Sequence, residues 1–314
     1  MTLLSIVLWC MLAMLAALAI GPWLLPTRER VDLNDAVRAR LSRKCFARLS
    51  GGVTHFEWAG PEHGPKVVLV HGFSSPFFIW DRNFDALARA AFRVLRYDLF
   101  GRGLSERPHR RYDEDLFDRQ LLDLLDSQGI TEPVDLVGLS MGGAITVHFL
   151  DRHPDRVAKV ALFAPAGMMR LPGSSRLLTT PGLGAWILRA FGDRLVMDQM
   201  PRGLTDDPET LEAFRAAYAD QLQYKGYKRA LVRTMRDYDL GHMDAVYQRV
   251  GRQQRKGLLF WGDRDGIVEY ALHERVCAYM PWLEFVPVPG GGHAVPYEDA
   301  DAVTPRLIAF LREG

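Results

Sequence analysis

The segment Val134-Asp135-Leu136-Val137-Gly138-Leu139-Ser140-Met141-Gly142-Gly143 decides the fold. It opens as a short apolar run with the composition of a buried strand. A helix-compatible stretch, Ala144 to Leu150, follows it. Between them stands Gly-x-Ser-x-Gly, the sharp strand-to-helix turn that lifts a serine hydroxyl clear of a sheet. A serine on so tight a turn takes up a strained backbone, and side chains at Gly138 or Gly142 would collide with the strand and the helix. Gly143 lets the helix start close to the sheet. Ser140 is therefore a candidate nucleophile, weighed against the plainer reading of an ordinary turn serine.

Serine is a weak nucleophile and needs a base that a third group orients. On such an elbow the partners follow in the order acid, then histidine. The apolar strand Gly257 to Trp261 runs into Gly262-Asp263-Arg264-Asp265. A further strand, Leu283 to Val288, runs into Pro289-Gly290-Gly291-Gly292-His293. Both segments sit past the carboxyl ends of strands, where open α/β sheets build their sites. Only His273 and His293 follow these aspartates. His273 falls in an expected helix, Tyr270 to Tyr279, and reads as a helix-surface residue. His293 follows a glycine run, so its ring projects from a loop. Asp263 and Asp265 both stand as candidates for the acid.

Five separated motifs now lie in one order: His71-Gly72-Phe73, Asp98-Leu99-Phe100-Gly101-Arg102-Gly103-Leu104-Ser105, Gly138 to Gly142, Trp261 to Asp265, and Gly292-His293. In these the chain resembles the α/β-hydrolase family over about residues 50 to 312. The resemblance implies an α/β fold: a mostly parallel, doubly wound sheet with an inserted helical cap. It places the acid on Asp265, with Asp263 left as a turn cap, since aspartate readily bonds nearby backbone amides. It implies that His293 takes the proton of Ser140 and that Asp265 holds the imidazole in one tautomer. It places the oxyanion donors on the backbone N–H groups of Met141 and Phe73. His71 is then structural, and Asp98 to Ser105 is an architectural loop. Haloalkane dehalogenases and epoxide hydrolases of this fold carry aspartate at the elbow, so Ser140 argues against an alkyl-enzyme ester.

Composition agrees with one large core. The chain has 314 residues, 48% of them apolar, and a formal charge of +1, which offers no general attraction to nucleic acid. Cys10, Cys45 and Cys277 are too few and too scattered for a disulfide framework or a zinc site, and neither metal nor organic cofactor is expected. Strands are expected at Val53 to Trp58, Lys66 to Val70, Phe92 to Tyr97 and Arg156 to Phe163. Helices are expected at Asp81 to Ala90, Tyr112 to Ser127 and Asp299 to Arg312. Residues 168–255 break the strand–helix alternation, with helical stretches Ala185 to Met197 and Pro208 to Leu222 and punctuation at Pro172-Gly173 and Pro181-Gly182. This is the cap, inserted between residues 51–167 and 256–314 of the core.

Leu3 to Leu25 carries no charge and is long enough to span a bilayer core. Residues 1–27 are read as an anchor and 28–50 as a juxtamembrane helix or linker, helical from Val31 to Leu49. A cleaved signal peptide with processing near Ala17-Leu18-Ala19 is the competing reading; only Met1-Thr2 precedes the run, and no basic segment does. Arg28, Arg30, Arg38, Arg40, Arg43 and Lys44 follow it, which by the positive-inside rule puts the catalytic domain in the cytoplasm. The expected function is a membrane-anchored serine hydrolase of carboxylic esters, acting on a small ester or lipid. The anchor, His71 to Ser74 and Ala164 to Gly167 together look similar to membrane-bound monoacylglycerol lipases. Alternatives are a carbon–carbon bond hydrolase of ring-cleavage products, an acyltransferase, and a non-catalytic ligand sensor.

Overall fold

Alternating apolar strands and amphipathic helices assemble into an eight-stranded sheet with helices on both faces, in a computed structural model that describes residues 3–41, 45–170, 173, 175–204 and 207–313. Arg43, Lys44 and Pro172 of the sequence reading lie outside the described residues. The strands are β1 (Phe46–Leu49), β2 (Gly52–Ala59), β3 (Lys66–Val70), β4 (Arg93–Tyr97), β5 (Val134–Leu139), β6 (Val157–Phe163), β7 (Gly257–Gly262) and β8 (Leu283–Val288). Their order is β1-β2-β4-β3-β5-β6-β7-β8. The β1–β2 and β2–β4 pairs are antiparallel; all the others are parallel.

The central strands are buried on both faces, so they read as mostly apolar runs rather than as alternating ones. All six residues of β5 and of β7 are buried. The two-residue side-chain period still sorts them. Val68 and Val70 of β3 enter the core on one face with Leu136 and Trp261, while Val67 and Leu69 enter the other with Val137 and Phe260.

Sheet order then positions the site. From β3 the chain passes through the helix Asp81–Arg89 to β4 on one side, and from β4 through the helix Glu114–Ser127 to β5 on the other. The strand order reverses at β3, which opens a crevice between the carboxyl ends of β3 and β5. Between β6 and β7 the helices Ser175–Thr179, Leu183–Arg194, Pro208–Leu222 and Tyr227–Asp237 form the cap.

The segment before the sheet departs from the expected helix over Val31 to Leu49. Among the described residues there, only Asp35–Leu41 is helical, and Phe46–Leu49 is an edge strand, antiparallel to β2 with Leu49 opposite Gly52. The tight turn at Ser50-Gly51 folds these few residues back onto the exposed edge of β2, and cross-strand pairing outweighs helical spacing. The first strand of the sheet therefore begins at Phe46, inside the segment read as linker.

Leu3–Leu24 is a 22-residue helix, about 33 Å long at 1.5 Å per residue. Its last carbonyls lack helical partners. Arg189 of the cap supplies them: its guanidinium donates to the carbonyls of Pro22 (3.0 Å), Trp23 (3.2 Å) and Leu25 (2.6 Å). The following residues are stitched to the cap. Arg30 and Val31 N–H both bond Gln223 O, Lys225 N–H bonds Val31 O, and Glu29 and Asp193 flank the buried Lys228 ammonium.

Candidate active site

Ser140 sits between β5 and the helix Met141–Arg152 with φ 55° and ψ −119°, a conformation that costs an L-residue about 1–3 kcal/mol. The surroundings over-determine it. Ser140 N–H bonds Phe163 O at the end of β6, and Ser140 O accepts from Ala166 N–H, both at 2.9 Å. Close approach explains two of the glycines. A Cβ on Gly142 would lie 2.2 Å from Val70 O, and one on Gly138 would lie 2.5 Å from Gly142 O. Met141 opens the helix, so its N–H is among those that an α-helix leaves without an intrahelical acceptor.

The candidate base arrives from the far end of the chain. His293 follows β8 and Asp265 follows β7, adjacent strands in the sheet. His293 Nδ1 lies 2.7 Å from Asp265 Oδ2, and both side chains are buried. The other oxygen, Asp265 Oδ1, accepts from Ile267 N–H (2.8 Å) and Val268 N–H (2.9 Å). Those two donors fix which carboxylate oxygen faces the imidazole. Asp263 is exposed and instead accepts from Gly290 N–H at 2.7 Å, tying together the loops after β7 and β8. His273 bonds Tyr270 O and stacks on Phe285, 4.2 Å between ring centroids.

Ser140 and His293 line one cavity of about 190 Å³, with Gly72, Phe73 and Ser75 on one wall and the cap residues Met200 and Leu204 on another. None of the described residues that line it is a cation. Phe73, which was expected to carry an oxyanion donor, is thus beside Ser140.

His71 is fully buried in a structural role. Leu99 N–H donates to its Nε2 (2.8 Å), so Nδ1 carries the proton and donates to Gly72 O (2.9 Å). Burial disfavours the imidazolium and lowers the pKa to about 4 against the opposing pull of Asp98. The ring stays neutral and joins the loop after β3 to the loop after β4. Asp98 organises that second loop, accepting from Leu104 N–H (2.9 Å) and Phe77 N–H (3.1 Å) and pairing with His55 (2.8 Å). Burial opposes its ionisation, but the His55 contact, with a smaller part from the Leu104 amide, holds its pKa below the usual range. Gly103, at φ +51°, lies so close that a Cβ would fall 1.8 Å from Asp98 Oδ2.

Sequence reasoning missed the residues that hold the Phe73–Ser75 loop from behind. The buried Arg102 guanidinium donates to Phe73 O (2.7 Å) and to Thr234 Oγ1 (2.9 Å) of the cap. Tyr227 OH donates to Ser74 O (2.9 Å), and Tyr218 OH shares a hydrogen bond with Ser74 Oγ (2.5 Å). Nothing local marks these tyrosines, because their partners lie about 150 positions away.

Residues 67–306 match the model of the Alpha/beta hydrolase family. The chain belongs to that family. Among its relatives, the dihydrolipoyllysine-residue acetyltransferase component of the acetoin cleaving system of Pseudomonas putida is 31% identical over 271 residues, covering 85% of this chain and 69% of the relative. The 2-hydroxy-6-oxononadienedioate/2-hydroxy-6-oxononatrienedioate hydrolase of Comamonas testosteroni is 25% identical over 90% of this chain and 99% of its own. The crystal structure of the enol-lactonase from Burkholderia xenovorans superposes with a TM-score of 0.71 at 25% identity, over 86% of this chain and all of that one. The expected fold, a mostly parallel α/β sheet with an inserted cap, is thus the observed one, and the chain is a member of a hydrolase family.

Proposed function

We propose that this hydrolase cleaves carboxylic esters through an acyl-enzyme on Ser140. One observation carries the reading: Ser140, strained on its elbow, shares a small cavity with His293, whose far nitrogen faces the buried Asp265. His293 Nε2 takes the proton of Ser140 as Oγ attacks the carbonyl, then passes it to the leaving alcohol. Asp265 keeps the imidazole in the productive tautomer and stabilises the imidazolium. Met141 and Phe73 N–H receive the oxyanion, each worth a few kcal/mol in the transition state. Arg102, Tyr218 and Tyr227 hold the Phe73 loop in place for that task. Water then releases the acid by the same steps in reverse order.

The Comamonas testosteroni relative supports a second reading, hydrolysis of a carbon–carbon bond in a ring-cleavage product. Such substrates are anionic, so turnover of a dienoate separates this reading from the ester one.

We further propose a lipid-type ester, in the manner of monoacylglycerol lipases, with Leu3–Leu24 as an uncleaved anchor and the catalytic domain in the cytoplasm. Support comes from the helix's length, its exposed apolar side chains from Val7 to Leu24, and the arginines that follow it. A panel of p-nitrophenyl butyrate, a monoacylglycerol and a ring-cleavage dienoate tests the chemistry; turnover of the dienoate alone overturns the ester reading. Intact mass of the purified protein tests the anchor, and a new N-terminus near Ala19 overturns it.

A further inference from the structure

A second cavity, of about 530 Å³, opens where the N-terminal helix meets the cap. One wall is apolar: Trp23 from the end of the helix, with Leu188 and Val232 from the cap. The other carries Arg229, Arg233 and Arg236 of the helix Tyr227–Asp237, of which Arg236 is paired with Asp237, and the Glu29 carboxylate also lines the cavity. Two further cations at the cavity are already satisfied. Arg189 caps the carbonyls of Pro22 to Leu25, and Lys228 lies between Asp193 and Glu29.

Arg229 and Arg233 are different. Among the described residues neither has a carboxylate partner. Arg229 bonds Arg107 O (3.0 Å) and His109 Nε2 (2.9 Å), and its buried Nε has no hydrogen-bond partner. Among the described residues Arg233 bonds only Arg110 O (3.1 Å). The chain as a whole carries a charge of +1, so this is a local concentration of cations rather than a general excess. Its field is felt nearby: Arg229, more than burial or Arg233, lowers the pKa of His109.

An apolar wall beside unneutralised guanidinium groups matches an amphiphile with an anionic head. The cavity's place along the chain names the source. Trp23 belongs to the last turn of a helix long and apolar enough to cross a bilayer, so the anchor reading puts this groove at headgroup depth, where that helix would leave the membrane. We propose that the groove binds the phosphate headgroup of an anionic phospholipid through Arg229 and Arg233, with its acyl chain on Trp23, Leu188 and Val232. The inference rests on the anchor reading above and not on the ester chemistry. It makes the cap, which covers the catalytic cavity, a lipid-contacting element.

The test uses the full chain in non-ionic detergent, with native mass spectrometry during titration with phosphatidylglycerol or phosphatidylcholine. Wild type should bind phosphatidylglycerol at least about tenfold more tightly, the effect of one or two charge-assisted hydrogen bonds. Arg233→Glu should abolish the preference. Arg229→Gln/Arg233→Gln should do the same, with turnover of p-nitrophenyl butyrate unchanged as the check on folding. A charge-matched control on exposed arginines elsewhere, Arg119→Gln/Arg252→Gln, should keep it. Equal binding of the two lipids by wild type, or a preference that survives Arg233→Glu, overturns the proposal. Displacement of the lipid by an equal concentration of inorganic phosphate overturns it too, since that marks a free-anion site. Flotation with pure phosphatidylcholine vesicles separates the two failures: a chain that stays in solution refutes the anchor, whereas one that floats without headgroup preference refutes only the groove.

Discussion

Replacing Asp265 with asparagine tests the catalytic arrangement through a choice that the structure forces on the amide. Oδ1 accepts from two backbone N–H groups, Ile267 and Val268, and Oδ2 faces His293 Nδ1 at 2.7 Å. If the asparagine oxygen keeps the two amides, its NH₂ meets Nδ1, and the imidazole must carry its proton on Nε2. That tautomer cannot accept the proton of Ser140. If the amide flips, the tautomer is right, but two hydrogen bonds are lost and donors face donors in a buried site. At about 1–1.5 kcal/mol per bond the flip costs about 3 kcal/mol, or about 10²-fold in the productive population. Losing the carboxylate charge behind the imidazolium removes about 10- to 100-fold more, since a charge-assisted bond becomes a neutral one. Asp265→Asn should therefore lower kcat on p-nitrophenyl butyrate by about 10³- to 10⁴-fold, the range expected when a triad acid becomes an amide. The far-ultraviolet circular dichroism should not change. Asp263→Asn keeps an oxygen for Gly290 N–H at an exposed turn and should cost less than about twofold. An Asp265→Asn enzyme within tenfold of wild type, or a larger loss at Asp263, would refute the reasoning.

Ser140→Ala should abolish labelling by a fluorophosphonate probe and lower kcat by on the order of 10⁵- to 10⁶-fold; labelling that persists reassigns the nucleophile. Tyr227→Phe removes the bond to Ser74 O and should lower kcat several-fold with KM little changed; a change confined to KM would show that the Phe73 loop does not depend on it. Asp135 is buried, and burial raises its pKa to about 6. Between pH 4 and 6 the folded chain holds a proton that the unfolded chain has released, so stability falls as pH rises through that window. Asp135→Asn keeps an acceptor for Lys159 N–H and should stabilise the fold by up to about 3 kcal/mol at pH 7.5 and by almost nothing at pH 4; denaturant melts showing no such pH dependence would refute it. A chain starting at Pro26 should be soluble without detergent and active on p-nitrophenyl butyrate. One starting at Val31 also loses Thr27 and Glu29 beside the buried Lys228 and should be less stable by about 1–3 kcal/mol; equal melting midpoints would show the linker to be dispensable.

The amino-acid sequence by itself determined what short-range chemistry specifies. Each central strand is a mostly apolar run, and each site loop is marked by glycines at fixed offsets from a serine or a histidine. The positions of Ser140 and His293 in their loops follow from sterics within a few residues, so they were legible along with the order of strands and helices. Asp263 and Asp265 are equivalent by that local standard. The family resemblance favoured Asp265, and the folded chain shows the physical difference, with one carboxylate facing buried His293 and the other accepting from the Gly290 N–H. The edge strand Phe46–Leu49 was hidden for a related reason: four residues carry little periodicity, and their conformation is set by the free edge of β2. Arg189 on the last turn of the N-terminal helix, Lys228 between two carboxylates, and the tyrosines that grip Ser74 were invisible altogether. Each joins positions about 35 to 200 apart in the chain, and partners that far apart meet only because the sheet order and the cap bring them together.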